Sequence, residues 1–241
     1  MVEALVNSIQ ENYRRVLDLV NTATLHSGRE VGAVRLVAVT KSQPLPVVQS
    51  AISAGLTILG ENYAEEAIEK ISSCGSTGVE WHMIGHVQSR KAEAVAKYFG
   101  MMHSLDSIRL ATRLDRYCGE LQRKLPVLLE VNVSGEETKY GFPAWDENKW
   151  SVLDPVIEQI LDLPHLLTVG IMTMPPFCDD TESTRQYFKR MRRLQDYLRK
   201  HHPQVEWREL SMGTSADFIP AIEEGATYIR LGQALFGARK N

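Results

Sequence analysis

The chain has 241 residues, of which 44% are hydrophobic and 24% are charged, and its formal net charge is −3. This length allows one large hydrophobic core. The weakly acidic net charge excludes a strongly basic surface of the kind that binds nucleic acid or an anionic membrane. The three cysteines stand far apart and no run of 18 apolar residues occurs, so we expect reduced thiols and a cytoplasmic location, with a mitochondrial pool left open.

The first predicted element is an amphipathic helix near the start of the chain. Its apolar residues recur at steps of three and four, at Leu5, Ile9, Tyr13, Val16 and Val20. After it, strand signals alternate with helical patterns such as Ile108–Leu121 and Tyr187–Leu198, and Asp154 before Pro155 predicts an N-cap. The predicted strands are Leu36–Thr40, Thr57–Gly60, Val79–Gly85, Gly100–Leu105, Pro126–Val133, Leu166–Thr173, Val205–Ser211 and Thr227–Leu231.

Eight strands that alternate with helices over this length predict an α/β fold, a (β/α)8 TIM barrel with an extra N-terminal helix. The alternative is a doubly wound open sheet, which would favour fewer strands and a glycine-rich turn after the first one. The first turn here is Lys41-Ser42-Gln43-Pro44, which cannot cradle a dinucleotide. We therefore favour the barrel, and we expect residues 1–241 to form a single domain.

Lys41 follows the first predicted strand, in which Val, Leu, Ala and Thr indicate burial on both faces. Functional residues of such barrels collect at the carboxyl ends of the strands. Partial desolvation at that position lowers the pKa of a lysine amine and makes the amine a usable nucleophile toward a carbonyl. The alternative, from position alone, is a lysine that ends the strand and faces water.

Small and hydroxyl-bearing residues follow the seventh and eighth predicted strands. They are Ser211, Gly213, Thr214, Ser215, Gly232 and Gln233. Loops after the last two strands of such barrels commonly bind phosphate, and Thr214 or Ser215 is expected to begin a helix that carries Phe218. The simpler alternative for this segment is a turn with an N-cap. A phosphate site here and an amine across the barrel mouth favour a ligand that has both a phosphate and an aldehyde.

Arg230 lies between Ile229 and Leu231 in the last apolar strand, so its charge needs a polar partner near the barrel mouth. A guanidinium donates hydrogen bonds but accepts none, and it would therefore keep a pyridine nitrogen unprotonated. The alternative is a structural arginine that is held in a salt bridge.

Seven segments run from the first predicted strand to the last and cover nearly all of the chain. They are Leu36–Lys41, Gly60–Tyr63, Trp81–Gln88, Val131–Gly141, Gly170–Thr173, Leu210–Phe218 and Ile229–Gly237. Together they resemble the pyridoxal 5′-phosphate homeostasis proteins, the single-domain relatives of the fold-type III alanine racemase barrel.

The resemblance implies pyridoxal 5′-phosphate (PLP) as the cofactor, bound to Lys41 as an aldimine, with Arg230 near the pyridine nitrogen. It implies phosphate contacts from Ser211, Gly213, Thr214, Ser215, Gly232 and Gln233. By the same comparison, Asn62 and Met212 line the ring, and Lys139 is a second acceptor that serves in handing the cofactor on. The charged loop around Lys139 is by itself more typical of a solvated surface lysine. His82 and His86 span a strand end, so no metal site is expected.

The leading function is a monomeric carrier that binds PLP and takes part in its intracellular homeostasis and its delivery to apo-enzymes. The first alternative is a PLP-dependent amino-acid racemase of the fold-type III class, which needs a second acid–base group besides Lys41. The resemblance implies that racemising relatives carry a further all-β domain, and we expect none in this chain. Tyr63 and His82 could reach the mouth but have no recognisable partner to tune them, and Arg230 weakens the cofactor as an electron sink. A phosphosugar-binding barrel enzyme without PLP is the third possibility.

Overall fold

The structure, a computed structural model, describes residues 2–75, 78–176, 178 and 180–237. Its strands are β1 (Arg35–Val39), β2 (Ile58–Glu61), β3 (Glu80–Met83), β4 (Met101–Leu105), β5 (Leu125–Asn132), β6 (Leu166–Met172), β7 (Glu209–Thr214) and β8 (Tyr228–Leu231). Its α-helices are α1 (Val2–His26), α2 (Leu45–Ser53), α3 (Ala64–Cys74), α4 (Ala92–Tyr98), α5 (Ile108–Glu120), α6 (Asp154–Leu161), α7 (Arg185–His201), α8 (Phe218–Glu223) and α9 (Gln233–Phe236).

Parallel pairing closes the eight strands into a ring. β1 lies between β2 and β8, where Val37 pairs with Arg230, and β4 pairs with β5 to complete the circle. A further two-residue strand, Phe142–Pro143, pairs with the end of β5. The predicted (β/α)8 barrel is therefore confirmed.

The barrel has an inner and an outer core because successive residues of a strand point to opposite faces. The inner apolar cluster consists of Val37, Met101, Leu128, Met172 and Tyr228. The larger cluster, which includes Ala38, Leu129 and Ile229, lies between the strands and the helices. Polar side chains share the interior with the small inner cluster, and the functional site is built from them.

The predicted N-terminal helix is α1, and its buried residues include Ile9, Val16 and Val20. It packs against α2, α8 and α9. The side-chain amide of Asn12 donates a hydrogen bond to the carbonyl of Leu235 at 3.0 Å. The helix therefore covers the outside of the barrel near the junction of β8 and β1.

The start of β7 was predicted too early. Residues 205–208 do not belong to the strand, which begins at Glu209. Trp207 is fully buried with a φ of 47°, and its ring N–H donates to the carbonyl of His202 at 3.0 Å. The chain therefore turns to bury this indole before it can pair with β6 and β8.

The predicted N-cap at Asp154 is also wrong by one residue. α6 begins at Asp154 itself, and Leu153 occupies the N-cap position. The Asp154 carboxylate accepts hydrogen bonds from Nε2 of His202 at 2.9 Å and from the hydroxyl of Tyr197 at 2.8 Å. Its side chain therefore joins α6 to α7 instead of capping its own helix.

Three general features concern the described residues as a whole. Cys74, Cys118 and Cys178 are free thiols. No helix in this part of the chain is long and apolar enough to cross a membrane. No group of three or more His, Cys, Asp or Glu side chains within the described ranges is arranged to hold a metal ion.

Candidate functional site

A cavity of about 1190 Å³ opens at the carboxyl ends of the barrel strands. Lys41 lines it from the end of β1, Asn62 from the end of β2, Glu130 from β5 and Arg230 from β8. Ligand pockets commonly enclose about 300–1,000 Å³. The cavity is therefore large enough for a ligand of cofactor size.

Lys41 is half-buried and lies in the turn that follows β1. Side chains of α3 fix the residues on both sides of it. Lys70 donates to the carbonyl of Thr40 at 2.8 Å, and Glu66 accepts from the backbone N–H of Ser42 at 2.8 Å. Ser42 has a φ of 59°, in the left-handed region that non-glycine residues rarely adopt. These two hydrogen bonds therefore hold the backbone around Lys41 in a defined conformation.

A buried ion cluster of Glu61, Glu66 and Lys70 supports this turn. Lys70 Nζ lies 2.8 Å from Glu61 Oε1 and 2.5 Å from Glu66 Oε1, and the Thr40 hydroxyl donates to the same Glu61 oxygen at 2.7 Å. Burial raises the pKa of Glu61, and the hydrogen bonds from Lys70 and Thr40 oppose the rise. The cluster was not predicted, although the i,i+4 spacing of Glu66 and Lys70 is typical of a helical ion pair.

The loops after β7 and β8 meet at one edge of the cavity. Thr214, Ser215, Gly232 and Gln233 line this edge. The Ser215 hydroxyl accepts hydrogen bonds from the backbone N–H groups of Gly232 and Ala234, both at 3.2 Å. Hydroxyl and N–H groups from the two loops therefore converge on one region of the cavity.

The helix after β7 begins later than the sequence predicts. It was expected to start at Thr214 or Ser215, but α8 starts at Phe218, with Asp217 at the N-cap position. Asp217 accepts hydrogen bonds from the backbone N–H of Thr214 at 2.7 Å and from its hydroxyl at 2.9 Å. These bonds close a turn, and they leave Ser215 available to contact the β8 loop.

Three predicted site residues are not among those that line the cavity. Ser211 is completely buried, and its hydroxyl contacts His103 at 2.8 Å and Arg230 at 2.5 Å. Met212 is buried in the outer core. Gly213 has a φ of 94°, and a Cβ there would lie 2.6 Å from that of Ala221, so the packing of α8 requires glycine. Contacts of these three residues with a ligand stay a prediction.

Arg230 is buried in the barrel, and its guanidinium is fixed from several directions. Nη1 donates to Ser211 Oγ at 2.5 Å, and Nη2 donates to the carbonyl of Thr173 and to the sulfur of Met174, both at 2.8 Å. Burial lowers the pKa of Arg230 to about 10, and Glu130 opposes this change. The guanidinium therefore remains charged at neutral pH.

Glu130 is an acid–base group of the cavity that was not predicted. Burial raises its pKa to about 7, with a contribution from Asp106, and Arg230 opposes the rise. Its Oε2 atom is buried and has no hydrogen-bond partner among the described residues. The sequence signal that could have identified Glu130 is a single acidic residue in an otherwise apolar strand.

One of the two histidines near the end of β3 differs from its predicted placement. His82 was expected to reach the mouth, but it is completely buried within the barrel and its Nδ1 lies 2.9 Å from Nε2 of His103. His86 lines the cavity instead, with Nδ1 at 2.6 Å from Asp106 and its ring stacked on Tyr140. The other group named from the sequence, Tyr63, also lines the cavity.

Lys139 lies in the loop after β5, on the cavity wall. It is half-buried, and its Nζ lies 3.5 Å from the carbonyl oxygen of Pro175. Its sequence context alone is typical of a solvated surface lysine. The structure places it in the same cavity as Lys41.

Comparisons with known proteins give relatives that cover nearly the whole chain. The family described as "Alanine racemase, N-terminal domain" matches residues 7–240. A pyridoxal phosphate homeostasis protein from Aquifex aeolicus is 37% identical over 230 residues, which cover 95% of this chain and 98% of that protein. A structure of an unknown protein from Bifidobacterium adolescentis has a TM-score of 0.85 and 32% identity, covering 97% of this chain and 96% of that one. The structure of PipY from Synechococcus elongatus with PLP bound has a TM-score of 0.81 and 32% identity, covering 95% of this chain and 100% of that one.

Proposed function

This chain belongs to the pyridoxal phosphate homeostasis protein family, within the alanine racemase N-terminal domain family, and we propose that it binds PLP in the cavity of its barrel. The observation that carries the proposal is the placement of Lys41, Arg230 and the hydroxyl-bearing loops around one cavity. These groups match the aldehyde, the ring nitrogen and the phosphate of the cofactor. The PLP-bound structure of PipY, a relative with the same fold, supports the assignment.

Lys41 is the residue that we assign to the aldehyde. Its neutral amine attacks the carbonyl carbon, and loss of one water leaves a Schiff base between Lys41 and the cofactor. Because hydrogen bonds to Thr40 and Ser42 fix the backbone on either side, the amine is presented from a rigid support. Asn62 lines the same cavity from the end of β2 and is assigned to the ring.

Arg230 fits the ring nitrogen of PLP. Of its five N–H groups, three contact Ser211, Thr173 and Met174, and the others have no partner among the described residues. A guanidinium can donate to the ring nitrogen but cannot give up its proton at neutral pH, so the nitrogen stays unprotonated. An unprotonated ring withdraws electrons weakly, which favours holding the cofactor over catalysis.

We assign the phosphate to Thr214, Ser215, Gly232 and Gln233. The Ser215 hydroxyl now accepts from two backbone N–H groups of the β8 loop. These two bonds use the lone pairs of the hydroxyl and leave its O–H available, so a phosphate could accept from the Ser215 O–H and take over the two N–H groups. The site thus exchanges internal hydrogen bonds for charge-assisted ones.

The proposed role is that of a monomeric, cytoplasmic carrier that takes part in PLP homeostasis and delivers the cofactor to apo-enzymes. Lys139 supports delivery because a second amine lies on the wall of the same cavity as Lys41. An amine at that position can accept the aldehyde from Lys41 by exchange of one Schiff base for another, without any change in oxidation state.

Titration of the protein with PLP, followed by visible absorbance, tests the proposal. The wild type is expected to develop the yellow colour of a Schiff base, whereas Lys41→Ala should lose most of it and keep only the minor fraction that Lys139 holds. Lys139→Ala is the matched control, because it removes an amine from the same cavity and should retain the colour. Restoration of activity to an apo-enzyme by the loaded protein tests delivery. A Lys41→Ala protein with unchanged colour would refute the assignment.

An amino-acid racemase is the second candidate, and one observation favours it. Glu130 and His86, whose Nδ1 contacts Asp106, place acid–base groups on the wall of the cavity that contains Lys41. Incubation of the loaded protein with single enantiomers of amino acids, followed by polarimetry, distinguishes the two functions. Rapid loss of optical activity would support the racemase and exclude a simple carrier.

A further inference from the structure

A line of five polar side chains crosses the interior of the barrel. Arg230 Nη1 lies 2.5 Å from Ser211 Oγ, which lies 2.8 Å from His103 Nδ1. His103 Nε2 lies 2.9 Å from His82 Nδ1, and His82 Nε2 lies 3.0 Å from Glu80 Oε1. The last contact has the distance of an ion pair without the alignment of a hydrogen bond. We call this line the interior relay.

The interior relay connects the two ends of the barrel. Arg230 faces the cavity at the carboxyl ends of the strands. Ser211, His103 and His82 are completely buried, whereas the Glu80 side chain is 52% exposed at the amino end of β3. The relay therefore leads from the cavity to solvent at the opposite mouth.

The chemistry at the cavity end limits how the protons are arranged. Arg230 can only donate, so Ser211 Oγ accepts from it. The Ser211 hydroxyl then needs an acceptor of its own, and among the described residues His103 Nδ1 is the one within hydrogen-bond distance. This places an unprotonated Nδ1 and a protonated Nε2 on His103, and that Nε2–H donates to Nδ1 of His82.

The other end of the relay requires the same arrangement. His82 then carries its proton on Nε2, which faces the Glu80 carboxylate. In the reverse arrangement, a neutral His82 would place an electron-rich, unprotonated Nε2 3.0 Å from this carboxylate, and the Ser211 hydroxyl would have no acceptor. A doubly protonated His82 would add a second buried cation to a barrel that already holds Arg230.

We propose that Glu80, His82 and His103 are positioning residues that act through Ser211 on Arg230. Three hydrogen bonds run one way from Arg230 to His82, both imidazoles are neutral and protonated on Nε2, and the Glu80 carboxylate lies at ion-pair distance from the last Nε2. The cation lies at the donor end and the anion at the acceptor end. Each hydrogen bond therefore polarises the next in the same sense. Burial, together with the positive charge of Arg230, lowers the pKa of His103 well below its ordinary value, which agrees with a neutral ring.

Three further side chains border the lower half of the relay. The Tyr228 ring packs edge-on against His82 and His103, and Arg35 lies 3.9 Å above the face of that ring. Glu209 pairs with Arg35. Glu209 is thus already paired, and Glu80 is the carboxylate within ion-pair distance of the relay.

The effect on the cofactor rests on the proposed function. A guanidinium held by a polarised acceptor keeps one orientation toward the ring nitrogen, so the relay sets the position of Arg230 before PLP enters. Glu80 then influences cofactor binding from the opposite mouth of the barrel.

Long-range ¹H–¹⁵N NMR of the protein without PLP tests the proton arrangement directly. At neutral pH, both His82 and His103 are expected as neutral rings with the proton on Nε2. A proton on Nδ1 of His103, or a doubly protonated His82, would overturn the proposal. This measurement needs no cofactor, so its result is separate from that of the PLP titration.

The variant Glu80→Gln tests transmission along the relay, with Glu206→Gln as the control. Glu206 precedes β7 and is exposed, so its change removes the same charge without touching the relay. Glu80→Gln is expected to shift the ring nitrogens of His103 and the side-chain nitrogens of Arg230, and to weaken PLP binding by about fivefold or less. Unchanged His103 and Arg230 signals in a folded Glu80→Gln protein would refute the proposal.

Discussion

Replacement of Glu130 by glutamine is expected to change how the stability of the protein depends on pH. Burial raises the pKa of this carboxyl from 4.5 to about 7. Between these values the folded protein binds more protons than the unfolded chain, so the contribution of Glu130 becomes less favourable as pH rises from 4.5 to about 7. The difference corresponds to about 3 kcal/mol in the free energy of unfolding.

Urea unfolding of the wild type and of Glu130→Gln, at about pH 4.5 and about pH 8, measures this contribution. Glutamine resembles the neutral carboxyl, so the variant does not lose the stability that the wild type loses when Glu130 ionises. Its stability relative to the wild type should therefore rise by about 3 kcal/mol between the two pH values. Glu137→Gln, in the exposed loop after β5, controls for the general loss of a negative charge. A stability difference that stays constant with pH would refute the reasoning.

The remaining predictions concern the ion cluster and a close backbone approach. Lys70→Met should lower the free energy of unfolding by about 3–5 kcal/mol, because it leaves the buried Glu61 carboxylate without its cation. The double variant Lys70→Met with Glu61→Gln should recover part of this loss, and an unchanged urea midpoint in the single variant would contradict the cluster. Gly170→Ala should cost about 1–3 kcal/mol or more, since a Cβ would lie 1.9 Å from the carbonyl oxygen of Glu209. A melting temperature equal to that of the wild type would contradict the predicted clash.

The fold could be predicted because parallel strands that are buried on both faces appear in the sequence as short apolar runs between helical patterns. The closed ring then followed from the number of strands. The start of β7 could not be found in this way. Val205 and Trp207 are apolar and resemble strand residues, but Trp207 is buried through a left-handed turn that no local pattern indicates.

Site residues could be predicted where their position at the end of a strand determines whether they line the cavity. The rule that functional residues follow the carboxyl ends of strands identified Lys41, Thr214 and Ser215, and the family resemblance added Asn62; all four line the cavity. The same rule placed His82 at the mouth, although its position within β3 directs it into the barrel.

The contacts between acid–base groups of the site could not be predicted from the sequence. Glu130 and Asp106 interact although they belong to different βα units. The contact of His103 with Ser211 joins residues 108 positions apart. Such pairs depend on the register and tilt of the closed barrel, which hydrophobic periodicity does not encode.

Borohydride reduction of the PLP-loaded protein, followed by peptide mapping, measures which side chain holds the aldehyde. The reduced adduct should be found on the peptide that contains Lys41, with a minor fraction on Lys139. An adduct on other lysines, together with an unmodified Lys41 peptide, would contradict the proposed binding of the cofactor.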